Sequence, residues 1–259
     1  IPAPSSSSTR GVWSGGGGPY VNTIDFVTIA NSANATDFGD LTEKKSYFDA
    51  LSNETRGVIG GGYNDPGNSK INVIEFITIA TAGNASDFGD LTAAIYQVKA
   101  TGSPTRGLFM GGQNTGDTVV NTVDFITIAT AGNAQDFGDM TAPTKYGCAT
   151  SSNTRAIYAG GLSPDASTYT NKIEFFTIAT TGNGTDFGDL ITARATTPGA
   201  TSNNIRGIIA GGYTPSGNLN SIEFVTIANT GNASDFGDIS FGLDMRGIGA
   251  LSDSHGGLE

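Results

Sequence analysis

One cysteine, one histidine and one tryptophan occur in this chain, and each shortage removes a class of function. The lone Cys148 excludes an internal disulfide framework, so folding does not depend on redox compartment. Neither Cys148 nor His255 has the partners that a catalytic triad or a Cys/His metal site requires. Charge is scarce too, at 14% of residues, and unbalanced: 24 acidic against 13 basic residues give a net −11. Binding phosphate needs a positive surface, so a nucleic-acid partner is excluded, and an anionic membrane surface with it. No run of 18 apolar residues occurs, so no helix is expected to cross a bilayer.

Glycine is what the chain has in excess. Its 38 glycines stand beside 37% hydrophobic residues, a balance too apolar for disorder and too rich in turns for a helical protein. Short strands joined by Gly, Asn, Ser and Thr turns fit it. The chain opens at Ile1 in a Pro/Ser stretch without an initiator Met, which reads as a module taken from a longer protein.

One unit is repeated five times. Thr-Ile-Ala recurs at 28–30, 78–80, 127–129, 177–179 and 226–228; Asp-Phe-Gly-Asp recurs at 37–40, 87–90, 136–139, 186–189 and 235–238. A Gly-Gly pair closes an apolar run at 15–16, 61–62, 111–112, 160–161 and 211–212. Within the third copy, the runs 106–112, 121–129 and 135–141 are β-branched, aromatic or apolar with no helical period, and 146–151 adds a strand of small residues. The middle strands are apolar on both faces, which a sheet with one solvated face would not be. Each sheet is therefore expected to lie between two others. Four-stranded units of this period predict an all-β, five-bladed β-propeller forming a single domain.

The two ends of the sequence predict how the ring closes. The stretch 9–41 supplies three strands of blade 1, and Gly249-Ala-Leu-Ser252 matches the first strand of other blades, so 244–253 is expected to complete it. Blades 2 to 5 then occupy 44–92, 94–141, 143–191 and 193–240. This split blade would leave no open edge.

The succession Gly-Ala-x-Ser, Arg-Gly, apolar run, Gly-Gly resembles the kelch repeat. The kelch tryptophan is absent, and Phe38, Phe88, Phe137, Phe187 and Phe236 stand in its place. The whole unit is similar to repeats in tail-fibre and other structural proteins of marine bacteriophages. That resemblance implies a virion or extracellular setting, with a host-surface glycan or protein, or a neighbouring virion protein, as partner.

Residues recurring in every unit are expected to serve the unit. Arg10, Arg56, Arg106, Arg155 and Arg206 are read as pairing with a repeated carboxylate and with backbone carbonyls rather than as an anion-binding ring. Asp25, Glu75, Asp124, Glu174 and Glu223 recur as well. A glycosidase needs two carboxylates in unlike surroundings, and five equivalent positions alternating between Asp and Glu do not provide them. The Asp residues of Asp-Phe-Gly-Asp are expected to tie turns; Asp37 and Asp40 lack the ligand density of a calcium loop. Asn34, Asn84, Asn183 and Asn232 lie in glycosylation sequons, but Asn133 recurs without one, so turn geometry accounts for them. Trp13 lies in a strand and is assigned to core packing.

Variation gathers elsewhere. The stretch after Gly-Gly and the link into each new blade both vary, and an up-and-down meander brings them to one rim. There Tyr20, Tyr63, Tyr169 and Tyr213 offer aromatic faces, and Asn64, Asp65, Gln113, Asn114, Asp117 and Asp165 offer polar groups, which suits a polyhydroxylated ligand. The expectation is a monomeric, non-enzymatic binding module without cofactor or metal. The alternatives are a structural spacer or assembly domain of a virion, and a five-bladed glycosidase-like enzyme.

Overall fold

The structure, a computed structural model, describes residues 10–17, 19–165, 167–195 and 199–240. Every regular element in them is a β-strand. In unit 2 the four strands Asp49–Ser52, Arg56–Gly60, Val73–Thr78 and Ser86–Asp90 pair antiparallel in chain order. Units 3, 4 and 5 repeat the arrangement, beginning at Lys99–Gly102, Cys148–Ser151 and Gly199–Ser202. Unit 1 contributes Arg10–Ser14, Thr23–Thr28 and Thr36–Asp40; the stretch 244–253 assigned to its first strand lies outside the described residues.

The fourth strand carries a bulge at the same place in each unit. In unit 2, Asp87 faces Glu75 and Gly89 faces Ile74, so Phe88 is the extra residue. A bulge re-aims a side chain, and here Phe88 meets Phe76 edge-on at 5.9 Å. Phe38, Phe88, Phe137 and Phe187 are each 2% exposed; burying such a ring stabilises by about 1.5–3 kcal/mol.

Among the described residues the core is divided into four clusters, one between each pair of successive units. Ile24, Phe38 and Leu41 of unit 1 meet Ile59 and Ile77 of unit 2. Val58, Ile74 and Phe88 of unit 2 meet Phe109, Ile126 and Ile128 of unit 3. The same pattern joins unit 3 to 4 and unit 4 to 5. Both faces of the inner sheets are thus buried, as the doubly apolar strands require.

Each joint is also closed by one set of hydrogen bonds. Between units 2 and 3, Gly132 N–H donates to Phe88 O at 2.7 Å and Ala134 N–H to Asp90 O at 2.8 Å. The Gly-Asn segment of one unit therefore covers the open edge of the preceding fourth strand. Gly89, at φ 143°, is required there, because a Cβ would lie 2.5 Å from the Gly132 carbonyl carbon. Asn133 Oδ1 accepts from Asp90 N–H at 3.1 Å, and the Asp124 carboxylate accepts from Thr92 N–H at 2.8 Å.

The outward faces of units 1 and 5 differ from all of these. Ile29 is 68% exposed where its counterpart Ile128 is 0%, and Phe236 is 51% exposed. Among the described residues no bond of the joint set links unit 5 to unit 1. Trp13, expected in the core, is 51% exposed for the same reason, since among the described residues no unit covers its side of the sheet.

Candidate ligand-binding rim

The two variable loops of units 2 to 5 meet at the Gly-Gly end of the sheet. In unit 2, Lys44–Ser46 pairs with Tyr63–Asp65, which pairs in turn with Ser69–Lys70. In unit 3, Ile95–Tyr96 pairs with Gln113–Asn114. Single bridges, Lys145 to Leu162 and Ala195 to Tyr213, do the same in units 4 and 5. Gly-Gly also ties units together: Gly62 N–H donates to Ile95 O at 2.8 Å and Gly112 N–H to Thr144 O at 3.0 Å.

A row of tyrosines runs across this rim. Ring centroids of Tyr20 and Tyr63 are 6.3 Å apart, those of Tyr63 and Tyr96 6.2 Å, and those of Tyr96 and Tyr47 5.9 Å. The rings are tilted against one another, by 33°, 53° and 85°, so they form a curved surface. Tyr169 and Tyr213 form a separate pair at 6.2 Å.

Polar groups hold the row in place. Tyr96 Oη donates to Gln113 Oε1 at 2.8 Å, Lys145 Nζ donates to the same oxygen at 3.1 Å, and Gln113 Nε2 donates to Asp117 O at 2.6 Å. Lys70 Nζ sits 4.6 Å from the Tyr96 ring centroid and pairs with Asp117 at 2.5 Å. That bond holds the Asp117 carboxyl below its ordinary range. Burial pushes the Tyr96 and Tyr146 phenols up, so both remain hydroxyl donors at neutral pH. Burial also pulls the Lys145 ammonium down, aided by Lys70.

The residues expected at this site do not all serve it. Asn64 Oδ1 accepts from Ser69 N–H and its amide donates to Glu43. Asn114 Oδ1 accepts from Gly116 and Thr118 N–H, and Asp165 accepts from Ser163, Ser167 and Thr168, which lowers its carboxyl well below the usual range. These three shape their own turns. Tyr20 and Tyr63 belong to the row, Gln113 and Asp117 support it, and Asp65 lies at the paired end of its loop. Tyr47, Tyr96, Gln97 and Tyr146 were missed. Their signal was available, since every entry loop of units 2 to 4 carries an aromatic just before its first strand.

The repeated charges lie in the joints. Arg10, Arg56, Arg106 and Arg155 donate to Ile79, Ile128, Ile178 and Ile227 carbonyls of the next unit, at 2.9 to 3.0 Å. Each lies over a phenylalanine of its own unit, Arg106 at 4.5 Å from Phe125. The expected backbone carbonyl is there, and a ring face takes the place of the expected carboxylate. The repeated Asn side chains likewise do more than shape turns, for Asn84, Asn133, Asn183 and Asn232 all accept across a joint. The first Asp of Asp-Phe-Gly-Asp ties its own turn in unit 3, where Asp136 accepts from Gly138 N–H at 3.1 Å.

Glu75, Asp124, Glu174 and Glu223 are buried and accept N–H bonds from Thr42, Thr92, Thr141 and Ile191 of the preceding unit. Glu75 and Glu223 also meet buried cations, Lys45 and Arg194. Asp124 and Glu174 do not, and burial raises both carboxyls above their ordinary range. Cys148 is buried, with its thiol pushed up to about 12, so it is held as an unreactive thiol. Among the described residues no cluster of three potential metal ligands occurs. A shallow pocket lined by Phe76, Thr81 and Asn84 lies on the opposite rim, inside one repeated hairpin.

The class this defines is an all-β array of repeated four-stranded antiparallel sheets with one diversified rim. No protein-family model matches the chain, and no curated protein matches it in sequence.

Proposed function

We propose that this chain is a five-bladed, kelch-like β-propeller that acts as a non-enzymatic binding module, with the diversified rim as its ligand face. The observation that carries the binding reading is the Tyr20–Tyr63–Tyr96–Tyr47 row, built by loops that differ between units on sheets that do not. Tyrosine gives apolar area with a hydroxyl at its edge, which suits a host-surface glycan or protein. A phage fibre or another extracellular surface protein is the setting that the repeat resemblance favours.

Ring closure is supported by the two end faces that the described residues leave uncovered, which carry complementary halves of a fifth joint. By the register of the other four, Arg206 would donate to Ile29 O, Asp25 would accept from Ser240 N–H, and Asn34 from Asp238 N–H. The repeated carboxylates speak for binding over catalysis, because Glu75, Asp124, Glu174 and Glu223 are each spent on a neighbouring N–H.

The test is a glycan array and whole-cell binding screen with the parent chain and with Tyr63→Ala. Binding that Tyr63→Ala weakens by on the order of tenfold, with melting unchanged, supports the module reading. A ligand that protects the Gly-Asn rim and ignores Tyr63 would overturn it. The uncovered Trp13, Ile29, Ile205 and Phe236 favour a second reading, a virion assembly domain whose ends stack on other copies. Concentration-dependent association in sedimentation would select that reading.

A further inference from the structure

The innermost part of the tyrosine row combines three features that the outer loops lack. The first is backbone strain. Tyr47, Gln97 and Tyr146 occupy equivalent positions just before the first strands of units 2, 3 and 4, and all three have left-handed φ, at 56°, 61° and 61°. Non-glycine residues pay for that conformation, and such residues cluster where a site needs them. Here the effect is to set Tyr47, Gln97 and Tyr146 at the mouth of the first strands, with Gln97 N–H held by Tyr47 O at 2.7 Å.

The second feature is an unused polar group. Gln97 is 6% exposed, and its amide contacts Tyr146 Oη through one end only. Its Oε1 is buried without a partner. Ser46 Oγ, on the strand paired with Tyr63, is likewise buried and unpartnered. Leaving such groups unpaired costs free energy that a ligand hydroxyl recovers.

The third feature is charge. Lys70 is paired with Asp117, and Lys145, whose ammonium burial pulls down, spends a donor on Gln113 Oε1. The site therefore offers aromatic faces, hydroxyls and an amide, with no unpaired acid among the residues that form it. Tyr47, 54% exposed, leaves its ring open to solvent beside the buried amide.

We infer that Tyr47, Tyr96, Gln97 and Tyr146 form the primary subsite for an uncharged pyranose unit of a glycan, with Tyr63 and Tyr20 extending it along the row. This rests on the module reading above and narrows it. A sugar ring stacks on the tilted tyrosines, and its hydroxyls bond the free end of the Gln97 amide and the Ser46 hydroxyl. Specificity follows, because a site with a buried, unpaired amide rejects analogues lacking the matching hydroxyl.

The experiment uses the full chain and neutral gluco-, manno- and galacto-oligosaccharides, with sulfated and carboxylated oligosaccharides as the anionic set, read by calorimetry and saturation-transfer NMR. Gln97→Gly and Tyr47→Gly are the variants, since glycine adopts their φ freely and removes only the side chain. Each is expected to weaken the neutral ligand at least about tenfold while melting no lower than the parent. Tyr96→Phe, which keeps the ring, separates lost stacking from lost hydrogen bonding. Full affinity in both glycine variants, with Tyr63→Ala impaired, overturns the subsite and leaves the module reading standing. Tighter binding of the anionic set overturns the uncharged ligand, and binding of neither set overturns both readings.

Discussion

The Arg106 guanidinium donates to the Ile178 carbonyl at 2.9 Å, across the joint between units 3 and 4 and 72 residues along the chain. Beneath it lies the Phe125 ring, which packs edge-on against Phe137. The Arg thus binds a neighbour's main chain from a platform of its own unit. Equivalent contacts at Arg10, Arg56 and Arg155 make this a joint device that does not depend on the rim.

Arg106→Met is accordingly expected to loosen one joint and to spare ligand binding. The loss comprises one charge-assisted hydrogen bond and one cation–π contact, together about 1.5–3 kcal/mol. That is less than removal of one partner from a buried ion pair, because no carboxylate is left stranded. Urea unfolding measures it. An unchanged unfolding midpoint with binding abolished would return the Arg set to the functional site.

A pair of glycine substitutions tests the fifth joint. At Gly89 a Cβ would strike the next unit's Gly132, whereas at Gly237, with φ 137°, nothing lies within 4 Å. If the chain closes as proposed, Gly237→Ala meets the Ala33–Asn34 segment and destabilises as Gly89→Ala does, by about 1–3 kcal/mol beyond the common backbone cost. A clearly milder Gly237→Ala would show that unit 5 stays open.

The sequence made the repeated architecture legible because a contact repeated every 46 to 51 residues leaves its mark five times. Strand positions, the Gly-Gly stops and the doubly buried faces all follow from that. Partner identity followed only in part: the carbonyl acceptor of Arg106 was expected, but its second partner is the Phe125 ring and not a carboxylate, and a repeat marks Phe and Asp/Glu positions equally strongly. Trp13 misled for another reason: the pattern says which face of a strand is apolar, while covering that face requires a neighbour. On the rim, Asn64, Asn114 and Asp165 each precede Gly, Pro or Ser by two or three residues, a turn-forming pattern that explains why their side chains are spent locally. Tyr96 and Gln97 were legible only by aligning the entry loops with one another.

The raised carboxyls of Asp124 and Glu174 predict a pH dependence of stability. Burial makes each hold its proton more tightly in the folded state, so its contribution is present in acid. It is lost as pH rises from the ordinary carboxylate pKa, about 4, through the folded value. Asp124→Asn keeps an acceptor for Thr92 N–H and removes the titration. Its melting temperature relative to the parent is expected to rise between acid and neutral pH and then level off. A difference that falls over that interval would mean that the ionised carboxylate is the better partner for Thr92.

Lys45 and Arg194 stand at matching places in the entry loops of units 2 and 5, and each meets the repeated glutamate of its own unit, Glu75 and Glu223. At those places units 3 and 4 have Ile95 and Thr144, and their carboxyls are the two raised by burial. The cation therefore gives the glutamate beside it a buried partner of opposite charge, which Asp124 and Glu174 lack among the described residues. Lys45 and Glu75 are both 0% exposed, and Glu75 Oε2 also accepts from Thr42 N–H at 2.7 Å. Lys45→Met strands the Glu75 charge in the joint and is expected to cost about 3–5 kcal/mol. Adding Glu75→Gln removes that charge while preserving an acceptor for Thr42, so the double variant should recover most of the loss. Guanidinium unfolding of the single and double variants measures the coupling. A double variant no more stable than Lys45→Met would mean that the lysine acts through packing of its stem in the entry loop and that its charge is incidental.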